Sequence, residues 1–177
     1  MTYTPPTAGS SNWDVSLNQA LADINTDVVA AQADADAAQA DATDALTDVT
    51  DVLAGGGASV ATQEDTASTT YTDLATSGPA VVVTLAEART AIVLMKSGCT
   101  NTTTADDMWV SFAVSGATTL AASDSRAIRH NGSGGTQSYS AFETVSLSAG
   151  TNTITAKYRT DGGNGRFVER RLAVIVV

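Results

Sequence analysis

Leu17-Asn18-Gln19-Ala20-Leu21-Ala22-Asp23-Ile24 opens the stretch that decides how this chain is organised. From Leu17 the apolar residues recur at Leu21, Ile24, Val28, Ala31, Ala35, Ala38, Ala42, Ala45, Val49 and Val52, at alternating intervals of four and three. That is an unbroken repeat of 3.5 residues, the period of a left-handed coiled coil, and one chain alone cannot cover such a seam. With Leu17 at d, the a positions are Leu21, Val28, Ala35, Ala42 and Val49, and the remaining seam residues are d. Self-association is therefore the first expectation.

The flanking positions set its direction. Asp27, Asp34, Asp41 and Asp48 fall at g, and Asn18, Asn25, Gln32 and Gln39 at e. A parallel bundle sets g against e, pairing Asp27 with Gln32 and Asp34 with Gln39, whereas an antiparallel one sets Asp against Asp. Parallel association is favoured. The alanines at the middle of the seam bury little area, each Leu-to-Ala difference being worth on the order of 2 kcal/mol. Such a rod needs help from the domain at its end, through high effective concentration.

On either side the pattern changes. Ser11-Asn12-Trp13-Asp14 matches a capping box ahead of the repeat, with Asp14 in the first turn. Before it, Pro5, Pro6 and Gly9 exclude a helix. Residues 1–13, with Tyr3, Pro5, Pro6 and Trp13, are expected to form an extended peptide that anchors in another protein. The shaft is expected over 14–54, spanning about 60 Å at 1.5 Å per residue. Gly55-Gly56-Gly57 should end it, with 55–58 as a glycine hinge.

Beyond the glycines, residues 59–177 read as an all-β antiparallel sandwich, jelly-roll-like, so the fold class is α+β by segment. Expected strands are Ser68–Ala75, Ala80–Leu85, Thr90–Ser97, Met108–Val114, Leu120–Arg129, Ser138–Leu147, Thr151–Arg159 and Arg166–Val177, bounded by Gly, Asn, Asp and Ser clusters. Thr153-Ile154-Thr155-Ala156-Lys157-Tyr158 alternates as a half-exposed strand does. Val81-Val82-Val83 and Ala173 to Val177 are continuous, as strands buried on both faces or at an interface are. No helical crossover supports a parallel sheet.

Charge and composition narrow the function. The net charge is −10, and thirteen acidic residues precede Arg89 without one Lys or Arg among them. Nucleic acid is excluded as a partner, since nothing offsets phosphate repulsion. No apolar run reaches the roughly 20 residues of a membrane span, and no secretory leader is visible. The lone Cys99 rules out an intrachain disulfide and reads as a buried, inert thiol.

Catalytic constellations are thin. His130 is the only histidine and sits in a turn-like Arg129-His130-Asn131-Gly132; Asp106-Asp107 are neighbours whose carboxylates diverge. Gly162-Gly163-Asn164-Gly165 reads as a hairpin turn, not a phosphate loop. No catalytic residue, metal or cofactor is expected, and the chain is not read as an enzyme; a depolymerase would need clustered carboxylates. Surface recognition is the better prospect. Trp109, Arg126, Arg129, His130 and Tyr139 are its candidates, with Phe142 and Tyr158 as further aromatics that could line the same patch.

Several segments resemble the C-terminal β domains of minor structural and tail-fibre-like proteins of tailed bacteriophages that infect actinobacteria. They are Thr69 to Val81 (TTYTDLATSGPAV), Ser111 to Thr119 (SFAVSGATT), Asn152 to Arg159 (NTITAKYR) and Arg170 to Ile175 (RRLAVI). Trp13 to Asn18 (WDVSLN), ahead of an Ala/Asp-rich helix, is similar to the same group. The resemblance implies a homotrimeric virion fibre assembled in the host cytoplasm, without assigning ligand residues. It holds another virion protein through residues 1–13 and has no membrane insertion. The head then contacts the host surface; the alternatives are a dedicated carbohydrate-binding adhesin for a host glycan and a capsid decoration fibre without a receptor.

Overall fold

The computed structural model describes residues 12–53, 55–102, 106–131 and 135–177. The chain divides into two compact units, with the boundary between Leu46 and Thr47. Helix α1 (Asn12–Leu53) runs unbroken for 42 residues, about 63 Å at 1.5 Å per residue. Asn12 and Trp13 are thus helical, and the expected extended peptide loses its last two residues to α1. Tyr3, Pro5, Pro6 and Ser11 lie outside the described residues. Alanine supplies the helix propensity, and i,i+4 bonds supplement it: Gln19 Nε2 donates to Asp23 and Gln32 Nε2 to Asp36, both at 2.8 Å. Within one chain, then, Gln32 is held by its own helix. The large seam residues are exposed, from Leu17 at 50% to Val28 at 60%.

The second unit is a sandwich of two antiparallel sheets. Strands β1 (Gly56–Val60), β2 (Glu64–Thr66), β4 (Arg89–Asn101), β7 (Gln137–Leu147) and β9 (Gly165–Val176) form the first, ordered β1-β9-β4-β7 with β2 also on β9. Strands β3 (Ala80–Leu85), β5 (Met108–Gly116), β6 (Ile128–His130) and β8 (Gly150–Thr160) form the second, ordered β3-β8-β5-β6. Pairings are nested: β5 with β6, β4 with β7, β3 with β8, β1 with β9. One long hairpin rolled into two sheets is a jelly roll.

Four expectations are corrected. Gly56 and Gly57 are no hinge: they sit in β1 opposite Val174 and Ala173. Ser68–Ala75 is a connection that meets the sheet in a single bridge, Thr72↔Tyr158, and a bond from the Thr160 amide to the Ser68 carbonyl, because its Ser, Thr and Asp side chains bond locally, as Ser68 does with Thr70. Leu120–Arg129 holds one bridge from Leu120 to Val114, a 3-10 turn at Asp124–Arg126, and then β6. The Gly162 to Gly165 turn carries the chain from one sheet to the other and closes no hairpin.

The core lies between the sheets. Val83, Ala91, Val93, Cys99, Met108, Phe112, Ile154, Tyr158 and Phe167 have no exposed surface. Burial pushes the Cys99 thiol up to about 12, so it stays protonated and inert. The apolar runs that read as buried on both faces instead alternate within the chain: Val81 and Val83 point in and Val82 out; Val174 and Val176 point in and Ile175 out.

A β-bulge on β9 changes which residues face inward. The β4–β9 register slips between Lys96 and Gly98, and Glu169 takes a φ of 49°, a left-handed conformation rare outside glycine. The slip lets both Phe167 and Arg170 point into the core. Arg170 is 1% exposed and spends its donors on the Glu64 carboxylate at 3.0 Å and on the carbonyls of Thr62, Thr76 and Gly78 at 3.2–3.3 Å. Its guanidinium also lies 5.4 Å from the Tyr158 ring centroid. Hydrogen bonds from Thr76, helped by the Arg170 charge, hold the Glu64 carboxyl below its ordinary range. One buried cation thus clamps the 62–78 segment onto β9.

Candidate functional site

The two sheets turn different outer faces to solvent, and the recognition candidates divide between several places. On the second sheet, Arg159 (β8), Trp109 (β5) and Arg129 (β6) stand in one register row. Both guanidiniums lie against the indole, Arg159 at 4.7 Å and Arg129 at 5.4 Å from its centroid, and Arg159 also covers Tyr71 at 5.5 Å. Carboxylates answer each cation. Arg159 grips Asp124 with two bonds, at 3.0 and 2.7 Å, and also reaches Asp161. Arg129 Nε donates to Asp107 at 2.6 Å, and the Tyr71 hydroxyl to Asp124 at 2.8 Å.

The Arg159 bonds hold the Asp124 carboxyl below its ordinary value. Burial, and then Asp124, push the Tyr71 phenol up, so it remains a donor. The row is therefore a charge-matched shelf with no nucleophile–base pair. Sequence reading found Trp109 and Arg129 and missed Tyr71, Asp124, Arg159 and Asp161, which come from separate strands and loops. The only available signal was Arg159 at an outward position of an alternating strand.

The other candidates do not join this row. His130 is 1% exposed, on the inner face of β6, which removes it from surface recognition. Its ring packs edge-on against Tyr139 of β7, centroids 5.1 Å apart, and Nδ1 lies 2.8 Å from the Asn131 carbonyl. Burial lowers the imidazole pKa, against an opposing pull from Asp107. Arg126 closes its own turn, donating to the Ala121 carbonyl at 2.6 Å. Tyr158 is core, its hydroxyl donating to the Gly78 carbonyl at 3.0 Å. Among the described residues no group of three His, Cys, Asp or Glu could hold a metal, and no helix is long and apolar enough to cross a membrane.

The first sheet's outer face carries an apolar row among polar neighbours such as Ser140 and Thr144. Phe142 (β7), Leu94 (β4), Ala173 (β9) and Gly57 (β1) occupy one register row across four strands. Beside it, Ile92 faces Ile175. Phe142 is 69% exposed. The row descends from a ring to a bare backbone, leaving a hollow of about 540 Å³ over Leu94, Ala173 and Gly57 with Lys96 and Arg171 at its rim.

No family model and no curated protein matches the chain. Among solved structures it is similar to the Eiger TNF of S. frugiperda, at 9% identity and a TM-score of 0.45, covering 70% of this chain and 92% of that one. It is also similar to a family 35 carbohydrate binding module from an environmental isolate, at 14% identity and a TM-score of 0.37, covering 69% and 92%. A chain of infectious bursal disease virus, Gx strain, aligns at 11% identity and a TM-score of 0.41, covering 68% of this chain and 31% of its own length.

Proposed function

We propose that this chain is a structural fibre protein of a tailed-phage virion. It is held by its N-terminal peptide and displays a β head on a self-associated helical rod. The observation that carries the reading is α1: 42 continuous helical residues whose Leu, Ile and Val seam side chains stand 50–60% exposed. Isolated helices are marginal in water even when alanine-rich, and this one finds no packing within its own unit. Copies of the same helix, parallel and in register, supply the missing surface.

The virion setting comes from the sequence segments that resemble actinobacteriophage minor structural proteins. The Trp109 shelf, polar and ion-paired, suits the outward side of such a head and is where host-surface contact would fall. Sedimentation equilibrium of the full chain at micromolar concentration tests the reading. Three times the 17.9 kDa chain mass is expected. A monomer overturns it.

A further inference from the structure

We propose that the outer face of the β1-β9-β4-β7 sheet is the surface through which the heads of separate copies meet, with Phe142 of one copy seated in the hollow of the next. The proposal deepens the fibre reading and rests on it for the presence of copies. Among the described residues of the head, five large apolar side chains stand out as exposed: Val82, Leu94, Phe142, Ile175 and Val177. Three of them, Leu94, Phe142 and Ile175, lie on this one face by strand alternation. The opposite face exposes Val82 among small outward residues such as Thr84, Thr151, Thr153 and Thr155, and its Trp109 is covered by Arg159 and Arg129.

The face has the shape of half a joint. Phe142 stands on the edge strand β7 and walls one side of the hollow, whose floor runs over Leu94 and Ala173 to Gly57 on β1 at the other edge. A large side chain at one side and a gap at the other make a head-to-tail contact, which closes into a ring under rotational symmetry. The rod points to the same symmetry. Gly57 lies four residues beyond Leu53, the last residue of α1, so parallel in-register helices tether the heads and relate them by rotation about one axis. Lys96 and Arg171, opposite one another in register, mark where the apolar patch ends and a charged rim begins. The alanine-rich centre of the seam leaves the rod in need of such a second contact.

The test follows dissociation of the full chain on dilution by sedimentation velocity. Phe142→Asp should weaken association at least 100-fold, and Val82→Asp, the equivalent change on the opposite face, should leave it unaltered. Hydroxyl-radical footprinting of the unmodified chain removes any dependence on variant folding, since oxidation of Phe142 should fall at least fivefold from the dilute to the associated state. An oligomer whose stability ignores Phe142→Asp, or whose Phe142 stays equally reactive, overturns the head contact and leaves the fibre reading standing. A wild-type chain that never associates overturns the fibre reading itself, and the head contact with it.

Discussion

Leu21 on α1 and Leu172 on β9 are the same side chain in opposite circumstances: the first is 55% exposed and the second 1%. The whole of each region follows its example. Most apolar residues of the sandwich are buried by their own chain, whereas the large seam residues of α1 are exposed within it. At roughly 25 cal/mol per Å² of apolar surface removed from water, the head gains its hydrophobic stabilisation within one chain and the exposed seam of α1 gains little there. Stability and assembly are thereby separated along the chain, and mutations should separate them too.

The largest effect is expected in the head. Arg170→Ala strands the buried Glu64 carboxylate and three carbonyls, and removing one member of a buried pair costs about 3–5 kcal/mol. Urea unfolding should show a lower midpoint, while Arg166→Ala, which loses only the solvent-facing Asp65 pair, should lower it far less. Equal losses from both would mean that the Arg170 clamp does not hold the 62–78 segment.

A double substitution in the rod, Leu21→Asp with Ile24→Asp, should break the other half of the contrast. Helical ellipticity and sedimenting mass should both fall, yet the unfolding free energy of the head in urea should change by no more than about 0.5 kcal/mol, as for exposed sites generally. A head that unfolds with the rod would show that the two regions share stability after all.

The smallest effect is a pH dependence confined to the head. Burial lowers the His130 pKa, so the unfolded chain takes up a proton first as pH falls through about 6.5. Stability should be level above that point and decline as pH drops toward the folded-state value. His130→Gln should flatten the slope in this window and leave the separate loss, below about pH 4, where Glu64 and Asp124 are protonated. A rod whose helicity changed in the same window would contradict the assignment, because α1 has no histidine.

Much of the architecture was legible in the residues. The helix is one uninterrupted element because its repeat has no break, and six of eight expected strands occupy nearly the expected positions because apolar alternation is local. The misses have physical causes. Ser68–Ala75 looked extended, but its hydroxyls bond their own backbone instead of a ladder. Gly56 and Gly57 looked like a joint, but opposite β9 the lack of a side chain is no obstacle to pairing. His130 looked available because its turn is polar, and only the packing of β6 against β7 buries it.

By itself the sequence determined one long helix with a continuous apolar seam and an alternating β domain after it, because periodicity dictates which side of an element is apolar. Only the tertiary structure decided which strands pair and what each face meets. The nested pairing joins residues up to 118 positions apart, as at Gly56 and Val174, and no local pattern encodes such a partner. The bulge at Glu169 shifts the phase of β9, so that Phe167 and Arg170 both turn inward where strict alternation would send one of them out. That one extra residue places a cation in the core, while farther along β9 Ala173 and Ile175 remain on the open face beside Phe142.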